Sequence, residues 1–229
     1  MTNSAPNPSP QHLGDNLIPY DGELYLIRQF YHPHQADLIL TALLAELAWQ
    51  QEDLFIFGRW HKVPRLMCWY GDPSAHYRYS GVNHTPQAWH PRLQPIRQNL
   101  EQHCGCTFNS VLGNLYRDGK DSMGCHADNE PELGPTPLIA SLSLGAERIF
   151  KLHHNRHPDR LSIPLGHGDL LIMAGTLQQH WQHAIPKTQK TKTARINLTF
   201  RSILAANKRS LPRNASGYRL KSTSSSTPL

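Results

Sequence analysis

Arg195-Ile196-Asn197-Leu198-Thr199-Phe200-Arg201 alternates without a break: Ile196, Leu198 and Phe200 take one side of an extended chain, and Arg195, Asn197, Thr199 and Arg201 the other. Two structures satisfy this pattern. One is an edge strand with its polar side in water. The other is a strand whose apolar side packs on helices while its polar side lines the interior of a β-sandwich, where two guanidinium groups need anions beside them. The forked donors of Arg match a carboxylate bidentately. Two Arg six residues apart span roughly 20 Å of strand, so they reach opposite regions of a bound dicarboxylate, or one turns inward at the strand end.

Upstream lies Ser122-Met123-Gly124-Cys125-His126-Ala127-Asp128-Asn129-Glu130. An imidazole and a carboxylate two residues apart point the same way on extended backbone, so His126 and Asp128 can share one ion. A third ligand is available in His180-Trp181-Gln182-His183. Two His and one carboxylate on one face leave the opposite positions open, the facial arrangement of non-haem Fe(II) sites. A closed structural zinc site would call for four ligands, commonly with Cys pairs.

The rest of the chain supplies the frame. Glu23 to Phe30 reads as a strand, and Ile39, Leu40, Leu43, Leu44 and Leu47 recur at helical spacing from Pro33 up to Trp49. Residues 51–83 mix Phe55, Phe57, Trp60, Trp69, Tyr70, Tyr77 and Tyr79 with Arg59, His61, Lys62, Arg65 and Arg78. This composition suits either a hairpin layer with its aromatics in the core or stacking on bases with phosphate contact. A second helix is expected from about Pro91 to His103, ended by Gly105. Val111 to Tyr116 is expected as a strand, with Arg117-Asp118-Gly119-Lys120 as a turn. Leu138–Leu144 and Arg148–Leu152 are expected to pair through Gly145-Ala146, and Leu161–Leu165 and Leu170–Met173 through Gly166-His167-Gly168-Asp169. Two helices followed by many short strands predict an α+β chain: an antiparallel double-sheet architecture with helices on one side.

At 229 residues the chain suits one sizeable domain. No apolar run reaches the length of a membrane span, and Met1 to Gln11 carries neither a basic patch nor a hydrophobic segment, so a cytosolic protein is expected. Cys68, Cys104, Cys106 and Cys125 fit no zinc spacing and are too few for a disulfide framework, so reduced thiols are expected. The net charge of +6 favours a polyanionic partner. Lys208, Arg209, Arg213, Arg219 and Lys221 concentrate that charge in a tail without an acidic residue.

The ordered set Asn114-x-Tyr116-x-x-Gly119, His126-x-Asp128-x-Glu130, His183-Ala184-Ile185-Pro186 and Arg195-x-Asn197-x-Thr199-x-Arg201 resembles the AlkB family of Fe(II)/2-oxoglutarate dioxygenases. Phe57-Gly58-Arg59-Trp60-His61-x-Val63-Pro64-Arg65, Tyr70-Gly71-Asp72 and Tyr79-Ser80-Gly81 resemble its branch that repairs alkylated DNA and RNA, and the likeness covers about residues 20–205. The resemblance implies a double-stranded β-helix, or jelly roll, with helices buttressing one sheet and an N-terminal nucleotide-recognition lid. The domain is then expected over 16–205, with the lid at about 51–83 and the jelly-roll core at about 108–203, between disordered residues 1–15 and a basic disordered tail over 206–229. It further implies Fe(II) on His126, Asp128 and His183, and 2-oxoglutarate on Arg195 and Arg201 assisted by Asn114, Tyr116, Asn197 and Thr199. Phe57, Gly58, Arg59, Trp69, Tyr77, Tyr79, Asn129 and Glu130 are implied as substrate contacts. Asn129 departs from the Asp that close relatives often carry there, and a neutral amide attracts a cationic base less.

The implied reaction is oxidative demethylation of N1-methyladenine and N3-methylcytosine in DNA, and in RNA as well, using O2 and supported by ascorbate. The alternative is a hydroxylase or demethylase of the same chemistry acting on a protein or small molecule. A monomer is expected, without a membrane partner, in the cytosol or, in a eukaryotic cell, the nucleus.

Overall fold

The computed structural model describes residues 13–56, 58–75, 77–79, 82–190, 192–204 and 219–220. In chain order the elements are β1 (Glu23–Ile27), α1 (Pro33–Glu46), β2 (Gln50–Ile56), β3 (Arg59–Gly71), β4 (Tyr77–Tyr79), β5 (Val82–His84) and α2 (Leu93–Cys104). There follow β6 (Ser110–Tyr116), β7 (Met123–His126), β8 (Ile139–Gly145), β9 (Arg148–His154), β10 (Arg160–Leu165) and β11 (Leu170–Ala174). Last come α3 (Leu177–His180), β12 (Trp181–Ile185), β13 (Arg195–Arg201) and β14 (Arg219–Leu220). The large sheet runs β1-β11-β8-β13-β6-β3-β2-β14, the small one β10-β9-β12-β7, and β4 pairs with β5.

Strand β13 is central, hydrogen-bonded to β8 on one edge and β6 on the other, so the edge-strand reading of its alternation does not hold. Its apolar side, Ile196, Leu198 and Phe200, joins a core with Ala36 and Leu43 of α1 and Leu93, Ile96 and Leu100 of α2. A second core fills the space between the sheets, from Leu24, Ile139, Leu171 and Met173 on the large sheet to Phe150, Leu152, Ile163, Leu165 and Trp181 on the small one. Burial on both faces explains why β11 reads as a continuous apolar run.

The expected pairing of β8 with β9, and of β10 with β11, is wrong. Both edges of β8 are already occupied, by β11 and β13, and both edges of β11 by β1 and β8. The chain therefore crosses to the other sheet at Gly145 (φ 92) and back at Gly168 (φ 81), and β9 pairs with β10 instead. Successive strands that change sheets make the jelly roll.

Three boundaries also shift. Helix α1 ends at Glu46, not Trp49, because Leu47 is extended (ψ 147) and the Trp49 indole N–H donates to the Leu43 carbonyl at 3.0 Å. Leu13 is buried in the helix-side core, so the folded domain takes in 13–15, which were expected to be disordered. Two residues of the expected tail, Arg219 and Leu220, pair with β2.

The expected lid is in part core: Leu66–Gly71 of β3 pairs with β6 inside the large sheet, and Tyr70 and Cys68 are buried. Among the described residues of that stretch, Arg59, Trp60, His61 and Lys62 at the β2–β3 turn, where Gly58 has φ 75, face solvent.

Candidate metal and dicarboxylate site

Strands β7 and β12 run antiparallel with His126 directly opposite His183, their rings 4.3 Å apart between centroids. β7 ends at His126, and the chain turns so that Asp128 is buried beside them. One ligand atom from each of His126, Asp128 and His183 lies within 4.8 Å of the others.

The Gly124 carbonyl can only accept, so His126 Nδ1 donates to it at 2.9 Å, and Nε2, 3.7 Å from Asp128 Oδ1, is the nitrogen turned to the carboxylate. Burial opposes the charged form of Asp128, but Arg201 and the imidazoles of His183 and His126 outweigh it and hold the carboxyl down at about 2. Arg201 Nη2 donates to Asp128 Oδ2 at 2.7 Å. Burial, with His126 beside it, pushes His183 down to about 3, so its imidazole is neutral. His183 Nδ1 is buried with no hydrogen-bond partner among the described residues. An ionised Asp128 carboxylate and a neutral His183 imidazole, with a His126 ring nitrogen close to both, suit a borderline divalent cation such as Fe(II).

The three residues open on a cavity whose floor is the polar side of β13. There Arg195 is 1% exposed, and Nη2 donates to Ser143 Oγ at 2.9 Å. Among the described residues its Nε and Nη1 have no hydrogen-bond partner. The Arg195 guanidinium lies 5.1 Å from the Tyr116 ring centroid, and that of Arg148, also buried, 5.5 Å from it. Burial lowers the pKa of Arg195, which still leaves a cation at neutral pH. A buried cation with two unused donors requires an anion.

Neighbouring side chains fix this floor. Asn197 Nδ2 donates to Ser141 Oγ (2.8 Å) and to the Leu142 carbonyl (3.1 Å), and Thr199 Oγ1 donates to Asn197 Oδ1. Arg65 Nε donates to Asn114 Oδ1 at 2.7 Å. All nine residues expected at the metal and dicarboxylate sites line this one cavity.

Among the described residues expected to contact substrate, Trp69, Gly58, Arg59, Asn129 and Glu130 are not in its lining. Trp69 packs on Ala75, Leu133 and Ile203 and donates to Ser110 Oγ at 2.7 Å. Asn129 is exposed, Glu130 leads a 3-10 turn at Pro131–Leu133, and Gly58 and Arg59 lie at the β2–β3 turn. Tyr77 and Tyr79 lie on β4, and Phe57 is outside the described residues.

His180, the other histidine of the downstream segment, belongs to a separate group with Asp21 and His154. His154 Nδ1 accepts the backbone N–H groups of Arg156 and His157 at 3.1 and 3.0 Å, so Nε2 bears the proton and donates to Asp21 Oδ2 at 3.0 Å. A ring used on both nitrogens is a structural clasp rather than a ligand. Sequence reading also passed over Ser141, Ser143, Arg148 and Gln178. The alternation Ala140-Ser141-Leu142-Ser143-Leu144 was a usable signal for the two serines, whereas nothing local distinguished Gln178.

A jelly roll with an open centre of two histidines and one carboxylate, beside a buried cationic pocket, defines the architecture of a non-haem iron protein that also holds an organic acid. Residues 23–201 match the 2OG-Fe(II) oxygenase superfamily. The chain is 41% identical over 184 residues to human alpha-ketoglutarate-dependent dioxygenase alkB homolog 3, covering 76% of this chain and 64% of that one. It is 43% identical over 161 residues to human DNA oxidative demethylase ALKBH2, covering 67% of this chain and 62% of that one. The chain thus spans less than two thirds of the length of these two relatives. Among solved structures, OsALKBH1 shares the fold with a TM-score of 0.53 at 16% identity, over 82% of this chain and 100% of that one. The protein belongs to the 2OG-Fe(II) oxygenase superfamily and, within it, to the AlkB family.

Proposed function

We propose that this protein is an Fe(II)/2-oxoglutarate-dependent dioxygenase that removes methyl groups from N1-methyladenine and N3-methylcytosine in nucleic acid. The observation that carries the reading is the shared cavity: the His126, Asp128 and His183 ligand atoms and the unused Arg195 donors open on one space. Relatives named as a DNA oxidative demethylase and as an alpha-ketoglutarate-dependent dioxygenase support the substrate class.

His126, Asp128 and His183 would hold Fe(II), which supplies activation of O2 coupled to decarboxylation of 2-oxoglutarate and hydroxylation of the N-methyl carbon. Arg195, with Ser143 and Tyr116 holding its guanidinium, binds one carboxylate of 2-oxoglutarate; Arg201, with Asn114, Asn197 and Thr199, completes the polar floor along the same cavity. Arg201 also keeps Asp128 ionised, so the carboxylate stays a ligand across the working pH range. Phe150, stacked on His183 at 5.2 Å, and Met173, Leu165 and Ile185 keep the walls dry. A base stacked in a duplex cannot reach such a cavity, so the target is flipped or already single-stranded. Trp69, Tyr77, Tyr79, Phe57, Gly58, Arg59, Asn129 and Glu130 are assigned to gripping that nucleotide, and the protein is assigned to act as a monomer on DNA or RNA.

The test is direct. Purified protein supplied with Fe(II), ascorbate and 2-oxoglutarate releases formaldehyde from an oligonucleotide carrying N1-methyladenine. Failure to do so with both methylated DNA and methylated RNA would reject the substrate class. Succinate formation unaffected by either oligonucleotide would point to another acceptor.

A further inference from the structure

We propose that Gln178 is a positioning residue for the metal centre, tying the Asp128 ligand to the element that delivers His183. The inference rests on the metal reading above and adds to it a residue outside the ligand set.

Strand β7 stops at His126, so the Asp128 amide has no partner in the β-ladder although its residue is buried. A buried N–H without an acceptor is costly. Gln178 supplies the acceptor: the Asp128 N–H donates to Gln178 Oε1 at 2.9 Å. The two residues are 50 positions apart in sequence.

Nothing else about Gln178 favours an amide at that position. Its side chain is buried (3% exposed) among residues such as Met173 and Leu177. Its Nε2 finds only the Met173 thioether, at 3.4 Å, a weak acceptor. Leu or Met would fill the same space without burying a poorly satisfied donor. The compensating contact is the bond to Asp128.

The position of Gln178 gives that bond a purpose. It lies on α3, which runs directly into β12, and β12 places His183 opposite His126. The helix is in turn gripped from outside: Gly22 packs on Leu177 so closely that a Cβ there would meet the Leu177 Cα at 2.5 Å. Asp21, the residue before, holds His154 and lies 3.9 Å from His180 at the end of α3. The segment before β1 thus fixes α3, and α3 fixes both the third ligand through the chain and the second through Gln178. Such partners of metal ligands commonly set affinity by about 10–100-fold.

Gln178→Met keeps the volume and loses the amide acceptor; Gln178→Glu keeps an acceptor oxygen at the same reach. The full chain is titrated with Co(II), which reports ligand geometry in its visible spectrum, and the metal-free proteins are melted in parallel. The expected result is Co(II) affinity reduced about 10-fold or more in Gln178→Met, with an altered spectrum, and largely recovered in Gln178→Glu. Wild-type affinity and spectrum in Gln178→Met, with only a lower melting temperature, would overturn the positioning role and leave the metal site intact. Wild-type protein that takes up no Co(II) would overturn the metal reading, and this one with it.

Discussion

His183 and His180 lie three positions apart on a continuous segment, yet one faces the cavity and the other clasps Asp21. Their substitutions should separate cleanly. His183→Ala is expected to lower Fe(II) or Co(II) affinity by at least about 100-fold, while His180→Ala keeps the metal; equilibrium dialysis with metal analysis distinguishes the two. Arg195 should be equally separable. Its buried donors have no other anion, so Arg195→Met is expected to weaken 2-oxoglutarate binding on the order of 100-fold without releasing the metal. Among residues, the cluster of His126, Asp128 and His183 and the polar side of β13 were legible because strand alternation and an ordered motif set declare them. Arg148 and Gln178 were not, since each acts on main-chain groups distant in sequence and leaves no local pattern.

The elements show the same division. Helix α2, with Leu93, Ile96 and Leu100 on one face and Gly105 (φ 64) at its end, follows directly from the sequence. So does the apolar side of β13. The partners of β8 and β11 did not follow, because two strands joined by a Gly turn look like a hairpin in sequence whether or not the edge between them is free. The aromatic stretch before α2 was ambiguous for a related reason: Tyr70 and Trp60 sit on one strand, β3, but the first is in the core and the second in solvent. The segment leading into β1 carries a test at this scale. Gly22 has φ 139 and no room for a Cβ beside Leu177. Gly22→Ala is expected to cost on the order of 1–3 kcal/mol and to weaken Co(II) binding as well, read from urea unfolding and metal titration of the same preparation. A stability loss with unchanged metal affinity would detach this segment from the site.

For the whole molecule, the buried site couples stability to pH and to ligands. Asp128 is held at about 2 and His183 at about 3, below their ordinary values of 3.8 and 6.5. A depressed folded-state pKa means that the unfolded chain binds the proton first, so stability is full above the ordinary value and falls as pH drops towards the depressed one. Metal-free protein should therefore lose stability from about pH 6.5 downward through the His183 window, with the Asp128 contribution following below about pH 4; thermal melts across pH 3–8 check this. The cluster and the pocket are assembled only in the folded chain, so metal and dicarboxylate should each raise the melting temperature, adding up to about 2.7 kcal/mol of stability at a ligand concentration 100 times its Kd. A chelator should reverse the metal's share.

The account rests on one cavity serving a cation and a dicarboxylate together, and calorimetric titration of 2-oxoglutarate into the Mn(II)-loaded chain tests it most directly. It predicts one 2-oxoglutarate per chain, weakened when Arg195 becomes Met and also when His183 becomes Ala. Binding that neither substitution alters, or no binding at all, would contradict it.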